Sequence, residues 1–212
     1  MVKCAKCGVL NCRKEEEKRE KNPPFCPMEK YSDVYKESLK EYEKPEIGKF
    51  AKNSALVEAE GYCEWPRLRE IIEFAKKMGY RKLGIAFCIG LRKEARKISQ
   101  VLEEEGFEVV SVCCKGGALP KELLGIKEEE KVRPNTFEPM CNPIAQAMIL
   151  NREETELNIL VGLCVGHDSL FIKYSKAYVT VLAAKDRALA HNPLGAIYAE
   201  HYLKKKLKTG EK

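Results

Sequence analysis

The chain has 212 residues with ten cysteines, 44% hydrophobic and 33% charged residues, and a formal net charge of +6. This is enough apolar surface for one well-cored domain and a small appendage, and it excludes a disordered or low-complexity chain. No apolar run approaches the roughly 20 residues of a membrane span and the start lacks an apolar signal core, so a cytoplasmic location is expected.

In that compartment thiols stay reduced, which directs a cysteine-rich chain toward metal rather than disulfides. The positive surplus is spread among Glu-rich stretches, and much of it sits in the tail Lys204, Lys205, Lys206 and Lys208. No basic and aromatic motif accompanies it, so nucleic acid is not the expected partner.

Residues 1–30 read as a small cysteine-rich module. Cys4, Cys7, Cys12 and Cys26 fall in a segment with almost no apolar periodicity, which needs a staple to hold a structure. The two-residue gap between Cys4 and Cys7 lets both sulfurs face one ion, and four thiolates suit zinc or an iron-sulfur cluster. Residues 31–212 read as an α/β domain opening with a helical segment, two helices separated near Pro45. A further helix carries Leu68, Ile71, Ile72, Ala75 and Met78, with Gly79 as its carboxy-terminal cap.

Beyond it, short apolar runs alternate with amphipathic segments. Strands are expected at Lys82–Cys88, Glu108–Cys114, Asn158–Cys164 and Ala177–Leu182, with helices at Arg92–Glu105, about 142–152, and Pro193–Leu207. Strands buried on both faces and joined by helical crossovers predict a doubly wound, mainly parallel sheet of about four or more strands, with helices on both faces. Neither a dinucleotide glycine fingerprint nor a phosphate loop is present, so NAD and ATP are not expected.

Three of these strands run into the same pattern: Cys88-Ile89-Gly90, Cys114-Lys115-Gly116 and Cys164-Val165-Gly166. Carboxy-terminal strand ends of an open parallel sheet line one edge, where ligands bind. The glycines would let the chain turn sharply into each following helix. Cys141, in Met140-Cys141-Asn142-Pro143, stands before a helix and can join them, whereas Cys63 and Cys113 read as packing residues.

On the same edge, His167 is a candidate proton carrier and Asp168 a helix cap or site residue. Lys185, Asp186 and Arg187 form either a surface ion pair or a site for an anion. The expected cofactor is an iron-sulfur cluster, with four irons as the leading form, on Cys88, Cys114, Cys141 and Cys164. Four thiolates would close the site, and three would leave an iron open to substrate.

The phrases Phe87-Cys88-Ile89-Gly90-Leu91, Cys113-Cys114-Lys115, Met140-Cys141-Asn142-Pro143, Gly162 to Asp168 and Lys185-Asp186-Arg187 resemble those of an uncharacterised prokaryotic family, domain of unknown function 1847. The resemblance spans nearly the whole chain. It implies metal binding and an anaerobic cytoplasm, and it brings no reaction. The leading expectation is an iron-sulfur-dependent redox or sulfur-handling enzyme acting on a small anionic or sulfur-containing substrate, or serving a redox partner protein. The alternative is a non-catalytic metallochaperone, metal sensor or electron carrier with a structural zinc knuckle.

Overall fold

A computed structural model describes residues 1–199 and 201. The chain forms two compact units, Met1–Glu60 and Gly61–Lys212. No helix among the described residues is long and apolar enough to cross a membrane.

The first unit begins with three single turns, Cys4–Lys6, Asn11–Arg13 and Glu16–Lys18, followed by helices α1 (Pro27–Lys30), α2 (Ser32–Tyr42) and α3 (Pro45–Gly61). Pro27 and Pro45 each open a helix, where a missing amide hydrogen costs nothing. With so little apolar material before α1, a polar clamp organises the loops. Asn11 is almost fully buried. Its Nδ2 donates to the Glu20 carbonyl at 2.7 Å and to Asn22 Oδ1 at 2.8 Å, while its Oδ1 accepts from the Glu20 amide at 3.1 Å. The buried amide group thereby satisfies its polar atoms and folds residues 20–22 back on residue 11.

The second unit is a three-layer α/β/α structure. Its strands β1 (Lys82–Phe87), β2 (Glu108–Cys113), β3 (Leu157–Val161) and β4 (Tyr178–Ala183) form one sheet in the order β2-β1-β3-β4. All pairs are parallel. Central β3 is buried throughout, apolar at every position except Asn158, whereas β2 at the edge keeps Glu108 and Ser111 exposed.

Helices α4 (Arg67–Met78) and α5 (Arg92–Glu104) cover one face, packing Ile71, Ile72, Ala75, Ala95 and Leu102 on Leu83, Ile85, Leu157 and Ile159. On the other face α6 (Pro143–Arg152) and α7 (His167–Tyr174) place Ala147, Leu150 and Phe171 against Ala86 and Leu160. Gly79 ends α4 at φ +81°, donating to the carbonyls of Ala75 and Lys76.

The expected fold is present, with one adjustment near its end. The last helix described is α8, Gly195–Tyr198. It begins two residues after Pro193, and residues 202–207 of the expected longer helix lie outside the described set. In the sheet, Gly84 of β1 stands beside Asn158 of β3, where a Cβ would lie 2.0 Å from Asn158 Oδ1. The glycine therefore makes room for a fully buried asparagine held by Thr155 and Ser175 at 2.8 Å each.

Candidate thiolate site at the sheet edge

The chain leaves β1 through α5 to β2 on one side and returns through α6 to β3 on the other, so the strand order switches between β1 and β3. Such a switch opens a crevice at the carboxy ends of the strands. Cys88 follows β1 directly, Cys114 follows β2 directly, and Cys164 follows β3 after a two-residue turn. The ladder continues one residue beyond the strands: the Cys88 amide donates to the Val161 carbonyl at 3.1 Å and the Cys114 amide to the Phe87 carbonyl at 2.9 Å. Both thiols are thus set by sheet backbone.

Cys141 comes from the far end of the excursion between β2 and α6. The Asn142 amide donates to the Cys114 carbonyl at 2.8 Å, and Lys115 Nζ donates to the Pro139 carbonyl. Asn142 then caps α6, accepting from the Ala145 amide at 3.0 Å. These tethers bring Cys141 Sγ to 3.8 Å from Cys114 Sγ. Cys88 packs in the same buried cluster as Cys114 and Cys141 and interacts electrostatically with Cys114. Three of the four predicted edge cysteines therefore form one linked cluster.

Cys164 lies on its rim, where Arg187 Nη2 donates to its sulfur at 3.2 Å. Its approach depends on Gly162, which has φ +68° and whose added Cβ would lie 2.1 Å from Leu91 Cδ1. A left-handed backbone and a tight neighbour both select glycine there.

The electrostatics follow from this packing. The neighbouring Cys114 thiol lowers the Cys88 thiol to about 5, aided by the Gly90 amide and the Lys185 ammonium. The same partner lowers Cys141 to about 5, with Lys115 and His167 adding positive charge. Cys114, the shared donor, moves upward because ionising it would face Cys141 and Cys88 as well as burial. One proton held centrally between two outer thiolates is the expected state of such a coupled cluster near neutral pH.

The cysteine-glycine patterns differ in purpose from the sequence expectation of three equivalent sharp turns. Only Gly166 adopts a positive φ, at +81°, directly before α7. Gly90 lies in a single right-handed turn, Ile89–Leu91, and its importance is space: an added Cβ would stand 3.3 Å from Lys185 Nζ and 3.8 Å from Cys88 Sγ. At the second pattern the left-handed residue is Gly117, not Gly116.

The polar residues also separate into roles. Lys185 reaches Cys88 and Arg187 reaches Cys164, so these two cations face the site. Asp186 turns away to its own loop, its Oδ1 accepting from the Ala188 and Leu189 amides at 2.9 Å while its backbone amide donates to His191 Nδ1 at 3.1 Å. It holds the loop carrying its two neighbours. Asp168 is the second residue of α7, where it accepts from the Ser169 amide at 2.7 Å; Gly166 occupies the cap. His167 opens α7 beside the cluster.

Sequence reasoning missed Gln146. This residue of α6 is buried, and its Nε2 donates to the Phe87 carbonyl at 3.2 Å and the Val112 carbonyl at 2.7 Å. It ties together the ends of β1 and β2 just before their cysteines. Its Oε1 has no protein partner. A glutamine among Ala147, Leu150 and the other apolar residues of α6 was the available signal.

In the first unit, Cys4, Cys7, Cys12 and Cys26 all line one cavity of about 120 Å³, together with Leu10 and Phe25. All ten cysteines are free thiols. Among the described residues, no group of three or more Cys, His, Asp or Glu side chains already stands in metal-holding geometry.

These features define a class: a doubly wound α/β protein with converging thiols at its strand edge and a separate cysteine-lined pocket. Within that class, residues 26–182 match the family described as Protein of unknown function (DUF1847), and the chain belongs to it. The chain is also similar to an uncharacterized protein of Methanocaldococcus jannaschii, 46% identical over 206 residues, covering 97% of this chain and 98% of that one. No solved structure matches.

Proposed function

We propose that this is a cytoplasmic metalloprotein whose strand-edge cysteines hold a soft metal centre for redox or sulfur-handling chemistry. The carrying observation is the 3.8 Å separation of Cys114 and Cys141. Two thiolates sharing one tetrahedral ion at about 2.3 Å each would hold their sulfurs about 3.8 Å apart. The donor set therefore fits a single soft ion, and it also fits a two-iron cluster, where each iron takes two cysteines. Sulfurs on different irons of a four-iron cluster stand farther apart, so that form would require Cys114 and Cys141 to separate.

Cys88, Cys114 and Cys141 would be the holding residues, with Gln146 fixing the strand ends that carry the first two. A metal bound there would supply electron transfer or Lewis acidity. Lys185 and Arg187 would bind a small anionic or sulfur-containing substrate at the rim, and His167 would carry a proton. Cys164 is engaged by Arg187, which favours a site closed by three thiolates and open at one position. If Cys164 instead completes the set, the non-catalytic reading follows: a metallochaperone, sensor or electron carrier serving a redox partner protein.

In the first unit, the shared cavity supports zinc or a second iron-sulfur cluster on Cys4, Cys7, Cys12 and Cys26 as a structural staple.

Anaerobic purification with zinc, iron and sulfide analysis tests the reading. Metal in excess of one site, with absorbance near roughly 400 nm if iron is present, supports it. Metal confined to the amino-terminal cysteines would refute the edge centre.

A further inference from the structure

We infer that Cys141 and Cys114 are a redox-active dithiol pair that reacts with small-molecule disulfides and, by doing so, gates metal loading of the edge site. The gating clause rests on the metal reading above; the exchange reaction does not.

The geometry distinguishes the two sulfurs. Cys141 is half-buried, whereas Cys114 is 2% exposed. An accessible attacking thiol backed by a buried partner is the arrangement that exchange requires, because the second thiol must wait until the mixed disulfide forms. Their proximity is enforced by one backbone and one side-chain hydrogen bond. The Asn142 amide bonds to the Cys114 carbonyl and Lys115 bonds to the Pro139 carbonyl, so each cysteine is tethered beside the other. Closing the bond brings the sulfurs from 3.8 Å to about 2.05 Å.

Cys88 and Cys164 are less suited. Cys88 is 6% exposed, and Cys164 is engaged by Arg187. The Ile89 amide donates to Cys114 Sγ at 3.4 Å, which places a backbone donor on the sulfur that leaves as a thiolate when the disulfide is reduced again.

The reaction balances without a cofactor. The Cys141 thiolate attacks one sulfur of R–S–S–R, forming Cys141–S–S–R and expelling RS⁻. Cys114 then gives its proton to solvent and attacks the Cys141 sulfur, expelling the second RS⁻. The protein dithiol loses two electrons, and the small disulfide gains them. The product ties together two of the three cluster sulfurs, which can then no longer hold a metal as thiolates. It also closes the excursion between residues 114 and 141 into a covalent loop.

The full chain, reduced and freed of metal, is treated with oxidised glutathione, and peptides are mapped by mass spectrometry after alkylation. The expected product is a cross-link joining the Cys114 and Cys141 peptides. Cys114→Ser should stop at a lasting glutathione adduct on Cys141, and Cys141→Ser should abolish the cross-link. A lasting adduct on Cys141 in the unaltered chain, or a cross-link to Cys88 or Cys164 instead, overturns the pairing. Metal-loaded protein should lose edge metal on oxidation and regain it after reduction. If the chain carries no edge metal yet still forms the cross-link, the metal reading fails and the exchange reaction stands. If edge metal is present and survives complete Cys114–Cys141 oxidation, the gating is refuted.

Discussion

The two cysteine groups are gathered by opposite routes. Cys4, Cys7, Cys12 and Cys26 are close in sequence and gather around one small cavity through short turns and the Asn11 clamp, with little core beneath them. Cys88, Cys114, Cys141 and Cys164 are spread over 77 residues, and a packed parallel sheet delivers them to one edge. On the metal reading proposed above, a ligand organises the first group, while the fold already organises the second.

The sharpest way to break this comparison is metal removal. Chelation of metal-loaded protein should strip amide protection from residues 11–22, because structural thiolate sites contribute about 10 kcal/mol or more to folding. Strands β1 and β3 should keep theirs. Hydrogen exchange reads both at once, and equal loss in the two regions would show that the sheet edge also depends on metal.

A smaller effect is expected from Gln146→Leu. It leaves the Phe87 and Val112 carbonyls without their side-chain donor, and unsatisfied buried groups of this kind cost about 1–3 kcal/mol. Thermal unfolding should show the loss, and alkylation of Cys88 should quicken as the strand ends loosen. Unchanged stability and labelling would remove Gln146 from the site's support.

Next in size is the pH response of the metal-free edge. Cys141 is lowered to about 5 by Cys114, Lys115 and His167, so it remains thiolate through neutral pH and gains its proton as pH falls through that value. Its alkylation rate should be flat from pH 7 to 9 and drop by about half near pH 5. A rate that climbs through pH 8 to 9 would mark an ordinary thiol.

The smallest structural effect belongs to Arg187→Ala. This exposed residue should change stability by no more than about 0.5 kcal/mol, yet its loss should weaken several-fold the preference of Cys164 for iodoacetate over neutral iodoacetamide. An unchanged preference would show that Arg187 does not present the site to anions.

Much of the sheet was legible because its strands are short apolar runs between amphipathic helices, a pattern that burial on two faces imposes. Cys88, Cys114 and Cys164 were legible as edge residues for the same reason. What stayed hidden depends on partners distant in sequence. Gln146 finds its acceptors on two strands, Asp186 is committed to the loop at His191, and Gly90 lies against the ammonium of Lys185. Cys141 could be placed before α6, but its contact with Cys114 follows from the excursion folding back through Pro139 and Asn142.

On the proposed reading, the strand-edge thiols form one metal site independent of the amino-terminal pocket. Metal stoichiometry and absorption of anaerobically purified Cys114→Ser and Cys4→Ser chains, each set beside the unaltered protein, test it most directly. Each substitution should remove its own site's metal and absorption while sparing the other's. Metal content and spectrum unchanged by Cys114→Ser would contradict it.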